Sequence, residues 1–182
     1  ALLIESMSRI PADAEPDSEF RYRNPVIDPE TLYVAVSQSG ETFDTLAAIR
    51  EVKRKGGDVI GVVNATGSTV AGECGSGVYI HAGPEVSVTS TKSYTSTVVA
   101  FALLALQLGR VRDLGPGDGS RLISGLAALP DGIATVLAAE DTMAAVARDL
   151  VAPAAGMFFV GRVGGYPVAQ EGAQKLKEVS YV

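Results

Sequence analysis

Three stretches of this chain carry side chains whose types and spacing can do chemistry. The first is Ser37-Gln38-Ser39-Gly40-Glu41-Thr42, which follows the apolar run Leu32 to Val36 and precedes a helical pattern. A turn that leaves a parallel strand and opens a helix points free backbone N–H groups and the positive end of the helix dipole at its ligand, so that ligand is an anion. Ser37, Ser39 and Thr42 add hydroxyls and Gln38 an amide. Gly40 permits close backbone approach, so the turn can hold a phosphate without a Lys or Arg. The same residues also read as ordinary N-caps, with Glu41 or Asp44 completing a capping box.

The second stretch, Glu171, Lys175 and Glu178, is spaced i, i+4, i+7 and lies along one helical stripe. An ionised carboxylate beside an ammonium can serve as a base at neutral pH. The plainer account is a solvated stripe with an i,i+4 pair worth a few tenths of a kcal/mol. The third stretch, Val86 to Lys92, contains Ser87, Thr89, Ser90 and Thr91 and is a second hydroxyl-rich helix start, as ligand donors or as caps only. His81 is the single histidine and sits at a strand end. With no cysteine cluster nearby and no hydroxyl assignable to it by spacing, neither a metal site nor a Ser-His-Asp triad is expected there.

The elements that must position these groups follow from periodicity. Leu32 to Val36 and Val59 to Val63 are the clearest strands, joined by a helix from Thr42 to Lys55 that stops at Gly56-Gly57. This is a βαβ unit with a right-handed crossover, and ligands in such open sheets sit beyond the carboxyl ends of the strands. Asn64 and Thr66-Gly67-Ser68 form a second strand-end turn, and Ser76 to His81 is a third short strand. A long helix follows, with Gly109 as its expected stop. Leu2 to Met7 has helical spacing, Pro11 to Glu15 reads as a short strand, and Ser18 to Phe20 as a helical turn capped by Asp17 or Ser18. Arg21-Tyr22-Arg23 suits domain packing better than a phosphate site. Gly115 to Ser120 has linker composition; two helices broken at Pro130 and a third over Thr142 to Leu150 come next. Met157 to Val160 is an expected strand and Val168 to Tyr181 a helix.

The chain has 182 residues, 47% of them hydrophobic, enough for a substantial core. The unbroken apolar stretch Val98 to Leu106 falls short of the roughly 20 residues of a membrane span, and no signal peptide is visible. One cysteine, Cys74, excludes an intrachain disulfide and fits a reducing compartment, so the expected location is cytoplasmic. A net charge of −6 without a basic run argues against nucleic acid as partner. Arg50, Lys53, Arg54 and Lys55 end a predicted helix, where cations suit the dipole.

Ser37-Gln38-Ser39-Gly40-Glu41-Thr42-Phe43-Asp44-Thr45 resembles the phosphosugar-binding signature of sugar isomerase (SIS) domains. Three further stretches resemble one branch of that family, the isomerase half of the glucosamine-6-phosphate synthases. They are Ser18 to Arg23, then Ala82-Gly83-Pro84-Glu85 with Ser90-Thr91-Lys92, and Glu171 to Glu178. The four matches stand in the family's order across nearly the whole chain.

The resemblance implies an α/β fold with a three-layer α/β/α SIS-type parallel sheet. Residues 1–110 would be a first lobe lacking its first strand, 111–150 a helical connection, and 151–182 the start of a truncated second lobe. It implies that Ser37, Gln38, Ser39, Thr42, Val88 and Ser90 bind the sugar phosphate, fructose 6-phosphate or glucosamine 6-phosphate. It places Lys175 and Glu178 in the active site, with Glu178 carrying a proton between the first two sugar carbons. The residues themselves suggest no metal, cofactor or membrane partner; the resemblance implies a homodimer and, in the full-length protein, a glutaminase domain supplying ammonia.

The family's ring-opening histidine and Schiff-base lysine are expected past Val182, so the chain reads as a fragment that does not turn over alone. A non-catalytic phosphosugar-binding module and an amino-sugar-phosphate deglycase or deaminase are the alternatives. Ser87 and Thr89 replace the family's usual small residues, and Gln170 and Gln174 stand where Leu is more common.

Overall fold

The structure is a computed structural model and describes residues 1–180. It divides into two compact units, the first mainly Ile10–Ala105 and the second running from Leu106 onward together with Leu2 and Ser6–Arg9.

In the first unit the apolar, β-branched runs form three parallel strands, β1 (Leu32–Ser37), β2 (Asp58–Val63) and β3 (Gly77–Tyr79), in the order β1-β2-β3. The register pairs Leu32 with Asp58, Ser37 with Val63, and Val63 with Tyr79. Central β2 is the buried strand. Leu32 and Val36 of β1 stay exposed.

The helices ahead of the sheet are α1 (Leu2–Ser8) and α2 (Asp17–Tyr22). Between the strands run α3 (Phe43–Arg54) and α4 (Thr69–Cys74). Ile49 and Val52 of α3, Val70 and Cys74 of α4, and Val59 and Val63 of β2 form one buried cluster, against which Phe20, Ile27, Tyr33, Ala35 and Leu46 pack. Burying side chains of this size contributes about 1.5–3 kcal/mol each relative to exposure, which is what holds the turn after β1 in place.

The basic cluster at the end of α3 is paired within the fold. Arg50 bonds Glu73, and Glu51 takes both Arg54 and Lys55. Their hydrogen bonds, Arg54 foremost, pull the Glu51 carboxyl down to about 2. Pro11 to Glu15 is irregular rather than a strand; Pro11 supplies no N–H to a ladder, and the Glu15 carboxylate accepts instead from Arg23.

Long helix α5 (Thr91–Val111) continues two residues past Gly109. That glycine is a contact point and not a stop: a Cβ there would lie 2.8 Å from the Met7 carbonyl oxygen. By length and composition α5 is apolar enough to cross a bilayer; along it Ser93, Ala102, Ala105 and Leu106 are buried, while Val98 and Leu103 are exposed.

The second unit is helical: α6 (Pro116–Ala127), α7 (Leu129–Leu137), α8 (Glu140–Val146) with a π-helical turn at Ala147–Val151, and α9 (Gly165–Ser180). The Gly-Pro run expected to be a linker starts α6, since Pro116 occupies the first turn, where a missing N–H costs nothing. Pro130 opens α7 in the same way. Met157 to Val160 forms no strand, because no ladder partner stands beside it among the described residues. Phe158 is 94% exposed, while the Phe159 ring lies over Gly172 of α9. The expected helix end at Tyr181 lies outside the described residues.

Candidate functional site

Ser37, the last residue of β1, is buried, and its Oγ accepts the Gly40 N–H at 3.0 Å. Ser39 Oγ accepts the Glu41 N–H at 3.2 Å. Both hydroxyls are thus used as acceptors inside the turn, and each keeps its own hydrogen for a ligand. The Gln38 carbonyl accepts the Ala65 N–H at 3.2 Å. Thr42 stands at the N-cap of α3, yet neither it nor any other side chain caps that helix. The first N–H groups of α3 are therefore left for an anion, which favours the cradle over the capping box.

The two acids expected in a capping box are engaged elsewhere. Asp44 pairs with Arg21 at 2.6 Å, and the Arg21 guanidinium lies 4.6 Å from the centre of the Phe43 ring and 4.8 Å from that of Tyr22. This ties α2 to α3 as a packing contact. Glu41 reaches across to α4, where its carboxylate accepts the Thr69 N–H at 2.8 Å and the Thr69 hydroxyl at 2.7 Å. The Thr69 hydroxyl bond and then its N–H hold the Glu41 carboxyl below the usual carboxylate range.

A lowered carboxylate contributes stability above its unfolded value and loses it as pH falls through the folded one. Wild type is therefore expected to be more stable than Glu41→Gln above pH 4.5, the ordinary value for Glu. The gap closes as the pH drops further, and thermal melts across pH 3 to 7, roughly the carboxylate range, check this. A gap that stays constant with pH counts against the cap.

The second hydroxyl-rich segment lies in the same unit. Its helix start is capped from outside: Glu85 Oε2 accepts the Ser93 N–H at 3.0 Å and the Ser93 hydroxyl at 2.6 Å. The Ser93 hydroxyl chiefly holds the Glu85 carboxyl low. Thr89 and Ser90 are thereby released from capping. The Ser87 and Thr89 hydroxyls bond each other. Ser90 has a left-handed φ of 57°, and Val88 is 80% exposed.

Lys175 and Glu178 belong to the second unit and meet on α9. Lys175 Nζ is 3.2 Å from Glu178 Oε2 and 3.8 Å from Glu171 Oε1. Gln174 Nε2 donates to Glu178 Oε1 at 3.0 Å. Gln174 first and Lys175 second lower the Glu178 carboxyl, so it is ionised at neutral pH and available as a base. The i,i+4 spacing of Gln174 to Glu178 is the signal in the sequence for this partner.

Among the described residues no group of three or more His, Cys, Asp and Glu could hold a metal, and the His81 ring lies edge-on to Tyr79 at 6.4 Å. A cavity lined by Gly61, Ala71, Gly75 and Tyr79 contains none of the candidate residues. The candidate residues sit at the strand ends of the first unit and on α9 of the second.

Comparison with known proteins bears on the family of the chain. Glutamine–fructose-6-phosphate aminotransferase [isomerizing] of Symbiobacterium thermophilum is 48% identical over 181 residues, which is 99% of this chain and 30% of that protein. The Thermus thermophilus protein of the same name is 46% identical over the same span. The C-terminal domain of glucosamine-fructose-6-phosphate aminotransferase from Francisella tularensis superposes with a TM-score of 0.90 at 31% identity, covering all of this chain and 51% of that one. The chain thus spans about 30% of the length of the curated relatives it matches. The SIS domain profile matches residues 1–107, and with more than half of its length so matched the chain belongs to the SIS domain family.

Proposed function

We propose that this chain is the phosphosugar-binding isomerase portion of a glutamine–fructose-6-phosphate aminotransferase. The observation that carries the reading is the uncapped start of α3, with the Ser37, Ser39 and Thr42 hydroxyls around it, in a chain 48% identical over 181 residues to such an enzyme. The turn holds the phosphate of fructose 6-phosphate, and Val88 and Ser90 meet the sugar. Ammonia condenses with the carbonyl at the second sugar carbon with loss of water, and Glu178 then takes a proton from the first carbon and returns it to the second, so that the ketose imine becomes glucosamine 6-phosphate. Lys175 steadies charge that builds on the neighbouring oxygen. In the full-length enzyme a glutaminase domain supplies ammonia from glutamine, and the protein works in the cytoplasm as a homodimer.

Calorimetric titration with fructose 6-phosphate, glucose 6-phosphate and glucose tests the phosphate role. Both phosphosugars are expected to bind more tightly than glucose. Ser39→Ala and Thr42→Ala each remove one hydrogen bond to a charged group and are expected to weaken only the phosphorylated ligands, by roughly 1.5–3 kcal/mol. Equal affinity for glucose and its phosphate overturns the reading.

A further inference from the structure

Asn64 is the first residue after β2, at the end of the sheet where the candidate ligand residues gather. Its backbone N–H donates to the Ser37 carbonyl at 3.2 Å, beside the Ala65 N–H to Gln38. Its side chain faces the other way. Asn64 Nδ2 donates to the Gly83 carbonyl at 2.8 Å, and Asn64 Oδ1 accepts the Ala82 N–H at 2.9 Å. One amide therefore matches one donor and one acceptor of the backbone, as a strand would. Backbone pairing between β2 and the next segment extends to the Ile80 N–H on the Val63 carbonyl, and the Asn64 side chain carries the connection on to Gly83.

Residues 82–83 lead directly into the segment of Val88 and Ser90. That segment has little burial to hold it, with Val86 and Val88 both exposed. Its position depends on a few specific bonds, those of Asn64 at its start and of Glu85 with Ser93 at its end. Asn64 thus joins the turn, through its main chain to Ser37, to residues 82–83, through its side chain, and residues 82–83 are the start of the stretch that leads to Val88 and Ser90.

From this we infer that Asn64 is a positioning residue that sets the separation between the phosphate-holding turn and the sugar-facing segment, and so makes the site select a sugar carried on a phosphate over phosphate alone. The inference rests on the phosphosugar reading above. A ligand confined to the turn is indifferent to where residues 82–90 lie, whereas a ligand that spans both segments is not. A residue that merely supported the fold would affect both ligands alike.

The test is calorimetric binding of inorganic phosphate, fructose 6-phosphate and fructose to the intact protein and to Asn64→Ala and Asn64→Asp. Asn64→Ala is expected to weaken fructose 6-phosphate about tenfold while phosphate stays within about twofold, since two hydrogen bonds are lost away from the turn. Asn64→Asp keeps the acceptor for the Ala82 N–H. Its added charge acts on both anions, so the ratio of the two affinities is the readout, and it is expected to fall by a smaller factor. Should Asn64→Ala not fold, the ratio in Asn64→Asp decides. An unchanged ratio in the folded variants, with fructose 6-phosphate still preferred over fructose by the wild type, overturns the role of Asn64 alone. Wild type that binds fructose 6-phosphate no better than fructose overturns the phosphosugar reading and this inference with it.

Discussion

Glu178→Gln in the full-length enzyme is expected to lower kcat by about 100-fold or more, because an amide of the same shape cannot take up and return a proton. KM for fructose 6-phosphate is expected to change little, since Glu178 lies on α9 and the proposed phosphate contacts are in the turn after β1. A companion variant reads the electrostatics. The hydrogen bond from Gln174 is the first cause of the lowered Glu178 carboxyl, with Lys175 the next. Gln174→Leu should let that value rise toward 4.5, its ordinary level. A base works only when ionised, so activity in Gln174→Leu is expected to fail at a higher pH than in wild type as the solution is acidified. Profiles of kcat/KM against pH measure the shift. A Glu178→Gln enzyme that retains its rate within tenfold, about 1.4 kcal/mol, removes Glu178 from proton transfer.

Gly40→Ala is expected to be the most damaging small substitution in the turn. Gly40 has a φ of 68°, and a Cβ there would lie 2.0 Å from Ser68 Oγ, 2.4 Å from Ser68 Cβ and 3.2 Å from a Val63 methyl. The hydroxyl can swing away, but Ser68 Cβ is fixed to a backbone that starts α4. The left-handed conformation costs an alanine about 1 kcal/mol and overpacking a further 1–3 kcal/mol, so a loss of about 2–4 kcal/mol is expected in chemical denaturation. Phosphosugar binding should fall with it, as the Gly40 N–H to Ser37 is part of the turn's geometry. Ser68→Gly supplies the control, because Ser68 Oγ is buried and has no hydrogen-bond partner. The double variant should recover the overpacking but not the backbone cost, and this cycle separates the two. Additive losses in the double variant would show that Ser68 is not the obstacle.

Much of the geometry of the candidate site was legible from spacing. The strand, turn and helix from Leu32 to Arg54, the hydroxyls between them, and the stripe of Glu171, Lys175 and Glu178 all appear where periodicity put them. Such features depend on residues within about one helical turn or one strand of each other, and local backbone geometry enforces them. The misreadings share another cause. Met157 to Val160 has strand composition but no partner to pair with among the described residues, and the Gly-Pro run at 115–120 looks like a linker yet starts a helix. Composition describes what a segment tolerates; pairing and position decide what it does.

The sequence by itself determined the strand, helix and strand from Leu32 to Val63, the hydroxyl-rich turn from Ser37 to Thr42 and the face that Lys175 shares with Glu178, because each follows from the periodicity of residues near one another in the chain. Tertiary structure alone decided which partner each polar group took. Glu41 caps a helix 28 residues away instead of its own, and Asn64 binds a turn that begins 18 residues on. Ser68 fills the space that obliges residue 40 to be glycine. A carboxylate or amide accepts any well-placed donor, and only the packing of α3, α4 and β2 around Ile49, Val63 and Val70 determines which donors arrive.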